Sequence, residues 1–207
     1  MKDAVIFGVG SALIVEIEET LRRLDCRIVC GVRNVEGPVR ASAGYPIVDA
    51  ANIAELPLSR PIVTPLFQPR NRRTAIAHAQ ALGFQNHLTL VDPTAIVPQR
   101  LEASKGLYVN AGAIIGAHVR FGEHVTINRG ASVGHHSQLG DFVSLGPRAT
   151  LCGEIIVESG VLIGAGAVIV PRIHIGENAV IGAGAVVVHN VKANTMVVGN
   201  PARPVET

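Results

Sequence analysis

A period of six residues runs through the second half of this 207-residue sequence and leaves few folds open to it. From Val91 through Ala193 every sixth residue is apolar, and sixteen of the eighteen are Val, Ile, Leu or Phe, the exceptions being Ala103 and Ala193. Glycine follows this leading residue repeatedly, as at Gly116, Gly134, Gly146, Gly164 and Gly182. The fifth position is mostly small or β-branched, as at Ala113, Ala131, Ser137, Val143 and Ala167. An ordinary β-sandwich would show period-two alternation between irregular loops. A period of six instead makes each hexapeptide a short strand plus a turn, three of them closing one triangular coil. The leading side chain points into the prism, the fifth shares its narrow interior, and turn glycines tolerate positive φ. Residues 91–198 are therefore expected to form an all-β left-handed parallel β-helix of six coils with no register break. At roughly 4.8 Å per coil the prism would be about 29 Å long. Residues eighteen apart then lie above one another, so the sequence folds into columns.

Residues 1–90 carry a different rhythm. AVIFGVG (4–10), RIVCGV (27–32) and RPIVTPL (60–66) read as strands, and 12–25 and 70–82 as helices, the first with Leu13, Ile17 and Leu21 on one face. Strands alternating with helices predict a small α/β, Rossmann-like domain with a parallel sheet. Residues 199–207 remain as a carboxy-terminal tail.

Composition narrows the function. Formal charge is +2 with Lys and Arg scattered, which gives no footprint for nucleic acid. No apolar run is long enough to span a bilayer, and acids interrupt the amino-terminal apolar stretch, so neither membrane partner nor signal peptide is expected. Cys26, Cys30 and Cys152 lack metal-ligand spacing, and a reducing cytoplasm suits them.

A short nucleotide-binding-like domain, then hexapeptides containing VGHH (133–136), then VVGNPAR (197–203), resembles the bacterial sialic-acid O-acetyltransferase and nucleotide-aminosugar N-acetyltransferase family. The resemblance covers nearly the whole chain. It implies acetyl-CoA as co-substrate, no metal, and an amino or hydroxyl group of a nucleotide-linked sugar as acceptor. It also implies a general-base histidine at His135, normally followed by a carboxylate. Here His136 follows instead. A histidine suits the task, because imidazole accepts at neutral pH the proton that the attacking group loses. In the columns, position 136 lies between His118 and Glu154, and Gly153 stands above His135. Glu154 is thus expected to supply the missing carboxylate, the alternative being a glutamate that only decorates the surface.

The family's acetyl-CoA contacts carry over to Ser144, Ala165 and Ala183, the last two in IGAGAV segments one coil apart. On the acceptor side Gly8, Gly10 and Ser11 lie where the first strand would turn into the first helix, a place suited to phosphate. A tight turn needs such glycines without any ligand, and both readings stand. The family has a fuller glycine-histidine loop there and an acidic residue after the second strand, where this chain has Ser11-Ala12 and Arg33-Asn34. Either the nucleotide or the acceptor differs accordingly.

Two other functions share the prism. A γ-carbonic-anhydrase-like enzyme would bind zinc with three histidines, but the eight here lack that spacing. A non-catalytic paralogue would fit the departures at positions 11, 34 and 136, but not a retained His135 beside an unobstructed strip of small residues. Prisms of this class pack about a threefold axis, and a homotrimer is expected.

Overall fold

The computed structural model describes residues 2–205 and separates into two compact units, divided after Pro93 rather than after residue 90. The last two residues of the expected tail lie outside the described residues.

The first unit holds a four-stranded sheet in the order β3-β2-β1-β4, every pair parallel. Its strands are β1 (Lys2–Phe7), β2 (Cys26–Arg33), β3 (Ile47–Asp49) and β4 (Ile62–Val63). The helices are α1 (Ile14–Arg23) and α2 (Pro69–Ala81). Val5, Phe7, Cys30, Val32, Ile62, Ala79 and Phe84 form a buried cluster. Strand β3 was not expected; at three residues it carries too little alternation to be read. In α1 the buried face is Ile14, Ile17 and Leu21, with Leu13 at the helix start only half-buried. The buried Asp92 carboxylate accepts from Thr20 Oγ1 and Arg23 Nη1, both at 2.8 Å, and ties the end of this unit to α1.

The second unit is a parallel β-solenoid. From Glu102–Ala103 to Val186–Val187 every hexapeptide contributes a two-residue strand whose second residue is the expected leading residue, as in Ser132–Val133 and Ser144–Leu145; at Val97 there is only an isolated bridge from Ile96 to Ile114. Pairing follows the columns: Thr126–Ile127 lies between Tyr108–Val109 and Ser144–Leu145 at a spacing of eighteen. Leading residues such as Ile127, Leu145 and Ile163 are wholly buried, and so are fifth residues such as Ala131, Val143 and Ile155. Each large apolar side chain so buried contributes about 1.5–3 kcal/mol relative to exposure.

Two expectations change. Positive φ belongs to the fourth position of the hexapeptide, where His118, His136, Glu154 and Arg172 stand at +58° to +62°. The glycines after the leading residue answer to close approach instead: a Cβ on Gly134 would lie 2.2 Å from the Cys152 carbonyl oxygen, and one on Gly164 2.5 Å from Ala183 N. The register also breaks near the end. Ile175 bridges Val191, and Val180–Ile181 pairs with Met196–Val197, so the last spacing is sixteen. Val191 is buried in place of the expected Ala193, which is exposed. The interior position simply follows the backbone ladder, and the apolar residue two places earlier fills it.

Candidate active site

The Val133-Gly134-His135-His136 segment leaves the strand at Val133 and turns outward at a corner of the solenoid. His136 takes the left-handed conformation, and its N–H donates to Ala117 O of the coil below at 3.1 Å. Glu154 N donates in the same way to His135 O at 2.8 Å, so the corner is stitched from both sides. The buried Ser137 hydroxyl accepts from Ile155 N–H at 3.2 Å and donates to Cys152 O at 3.4 Å, fixing the turn from within.

Both histidine rings are exposed. Their Nδ1 atoms lie 3.0 Å apart, with the rings nearly perpendicular. His118 stacks on His136 with ring centroids 4.9 Å apart. The His135 ring lies over Gly153, where a Cβ would come within 2.8 Å of its Nε2. Among the described residues the exposed Glu154 carboxylate makes no hydrogen bond or ion pair with either histidine. The structure therefore brings His135 and His136 together and does not bring Glu154 to them. Ser137 and Gly153 were missed as parts of the site. Gly153 was legible, since the columns put it above His135, but its role needs the ring orientation.

Of the residues expected at the acyl donor, Ala165 and Ala183 are exposed and one coil apart, their backbone nitrogens packed against Gly146 and Gly164. Ser144 lies on a flat face, paired with Leu162, and is wholly buried. It is not part of the exposed strip.

In the first unit all five expected acceptor residues converge. Gly8, Gly10, Ser11, Arg33 and Asn34 line one recess of about 550 Å³. Gly8 adopts φ +102°, and its N–H donates to Val32 O. The Ser11 hydroxyl accepts from Leu13 N–H at 3.2 Å and shapes the turn. The Arg33 guanidinium pairs with Asp49 at 2.7 Å and, with the Ala51 N–H, holds that carboxyl below its ordinary range. Gln68, Asn71 and Thr74 complete the polar wall; they were missed because nothing in the helix pattern distinguishes them from solvated residues. Two buried charges hold the walls. Arg72 donates to the carbonyls of Leu66 and Phe67, and burial lowers its pKa to about 9. Glu18 accepts from Ser42 N at 2.8 Å and from the Ser42 and Tyr45 hydroxyls. Burial, then the Glu18 bond, pushes the Tyr45 phenol far above its usual range.

Among the described residues no three His, Cys, Asp or Glu side chains group as a metal site, and no helix is long and apolar enough to cross a membrane.

A family model described as bacterial transferase hexapeptide (six repeats) matches residues 154–189. No protein of curated function matches the sequence. Among solved structures, a variant of perosamine N-acetyltransferase from Caulobacter crescentus, in complex with CoA and GDP-perosamine, is similar over 100% of this chain and 98% of that one. Its TM-score is 0.90 at 27% identity. The acetyltransferase domain of PglB from Neisseria gonorrhoeae, in complex with acetyl coenzyme A, matches 99% of this chain and 98% of its own at TM-score 0.87 and 29% identity. WeeI from Acinetobacter baumannii shares the fold at TM-score 0.82 and 24% identity over 99% of this chain and 100% of that one. The repeat is thus matched on the coils from 154 to 189, and the whole chain is similar in fold to acetyltransferases that carry CoA or acetyl coenzyme A.

Proposed function

We propose that the protein transfers the acetyl group of acetyl-CoA to an amino or hydroxyl group of a nucleotide-linked sugar. Similar proteins of the same length bind CoA with GDP-perosamine, or acetyl coenzyme A. The observation that carries the reading to this chain is the exposed His135 ring, standing at a coil corner with Nδ1 engaged and Nε2 turned to a glycine. An attacking amine adds to the thioester carbonyl, the carbon–sulfur bond breaks, and CoA leaves as its thiolate. His135 Nε2 takes the proton the nucleophile sheds, and that proton can pass on to the departing sulfur. The glycine-rich recess of the first unit suits a nucleoside diphosphate, because Gly8 and Gly10 allow backbone to approach phosphate closely. The Ala165–Ala183 strip suits a slim pantetheine arm. To this reading belong a left-handed winding of six coils, a Rossmann-like role for the first unit, a cytoplasmic setting and a homotrimer.

Release of free CoA thiol from acetyl-CoA, followed with a panel of nucleotide-linked aminosugars, tests the reaction. His135→Ala should lower turnover by roughly 10²–10⁴ while leaving CoA binding intact. Full turnover in that variant would remove His135 as the base.

A further inference from the structure

We propose that His136 is the positioning residue for His135, performing with a neutral imidazole what a carboxylate would otherwise perform. The proposal rests on the reading of His135 as the base. Two Nδ1 atoms 3.0 Å apart must share one proton. With none, two lone pairs would face each other; with two, the hydrogens would collide. Donation from His136 would leave His135 with its remaining proton on Nε2 and no base there. Donation from His135 to His136 leaves the Nε2 lone pair of His135 free, and His136 keeps its own proton on Nε2.

The surroundings hold His136 in this role. Its backbone is fixed at φ +58° by the turn, and its ring is stacked on His118. The charged and titratable groups facing it are few. His118 and Arg120 come from the coil below and share with His136 and Gln138 a recess of about 250 Å³. Arg120 pairs with Glu102 at 3.2 Å. In the same column above stand Glu154, whose carboxylate makes no hydrogen bond or ion pair with either ring, and Arg172. Among the described residues no carboxylate is hydrogen-bonded or ion-paired to either ring. The imidazolium formed at His135 during transfer therefore has an oriented dipole beside it and no anion. A second proton between the two Nδ1 atoms would break the bond that joins the rings.

Substitution at 136 separates the hydrogen bond from the backbone. Gly and Asn both tolerate positive φ. Asn and Asp also carry Oδ1 on Cγ, where histidine carries Nδ1, and so present an acceptor in the same place. His136→Gly should lower kcat roughly tenfold or more, less than loss of the base itself, with KM for acetyl-CoA unchanged. His136→Asn should restore much of that loss. His136→Asp should restore it and move the acidic limb of the kcat/KM profile to higher pH, because an anion favours the imidazolium. Nitrogen-15 NMR of the labelled resting protein above neutral pH should show His135 protonated on Nδ1 and His136 on Nε2. His135 protonated on Nε2 overturns the proposal, as does wild-type turnover in His136→Gly while His135→Ala is inactive. So does a limb that moves in Glu154→Gln but not in His136→Asp. Full turnover in His135→Ala is a different failure and removes the base assignment beneath it.

Discussion

Glycines that look equivalent along this sequence carry different burdens. Gly134 packs against the backbone of the next coil, so Gly134→Ala should destabilise the fold by about 1–3 kcal/mol, read as a lower Tm. The atoms nearest a Cβ on Gly153 belong to the His135 ring, which can swing aside. Gly153→Ala should therefore leave Tm close to wild type while displacing the ring from His136 and lowering kcat. Equal losses of stability in the two variants would show that Gly153 is a packing residue and nothing more. Gly166 is a third kind: open space surrounds its Cβ position, but φ is +66°. Asn at neighbouring turns meets the same conformational demand, as at Asn178. The sequence marks all three with the same letter, and only the distances tell them apart.

At the level of elements, legibility followed repetition. The two-residue strands of the solenoid carry no propensity signal of their own, yet the repeated apolar leading residue placed them from Ala103 as far as Val187, Val97 alone before them lying outside a strand. Strand β3 occurs once and was invisible. The shortened last coil was also misread, because Ala193 keeps the period in sequence while the ladder follows Val191. In the candidate site, His135 stood out as a residue type within a repeat, and the recess of the first unit as a glycine turn at the end of a strand. The His136 contact and the wall from α2 were not, since both depend on which way side chains leave their elements. The same recess depends on α1 at a distance in sequence. Glu18 secures Ser42 and Tyr45, four and seven residues beyond Pro38, the last of the lining residues 34–38. Glu18→Ala leaves two hydroxyls without that acceptor, at a cost of about 1–3 kcal/mol. It should also raise KM for the nucleotide-linked sugar more than it changes kcat. An unaltered KM would show that the loop holds its shape without Glu18.

As a whole molecule the chain combines a unit with a conventional core and a second unit in which each coil pairs only with its neighbours. Stability of such a solenoid accumulates coil by coil through nearest-neighbour terms. A nucleotide-linked sugar bound in the glycine-rich recess should raise the melting midpoint of the first unit according to its concentration over Kd. Light scattering at micromolar concentration should give three times the chain mass; a monomer would remove the proposed trimer.

Solenoids carry a hazard at their last coil, where an unpaired row of amides and carbonyls invites another molecule to add on. Here the chain closes that row itself. Val186 N donates to Gly199 O, Ala202 N returns a bond to Val186 O, and Arg203–Pro204 runs antiparallel to Met196–Val198. A strand running the opposite way cannot template a further parallel coil, and Pro204 has no N–H to offer a newcomer. The short final turn and the folded-back segment thus act as a stopper against filament growth. Ala202→Pro, which removes the returning bond, should leave the acetyl-transfer chemistry in place but let particle size climb with time and concentration. A variant whose size distribution stays constant would mean that the ladder end is shielded by other means.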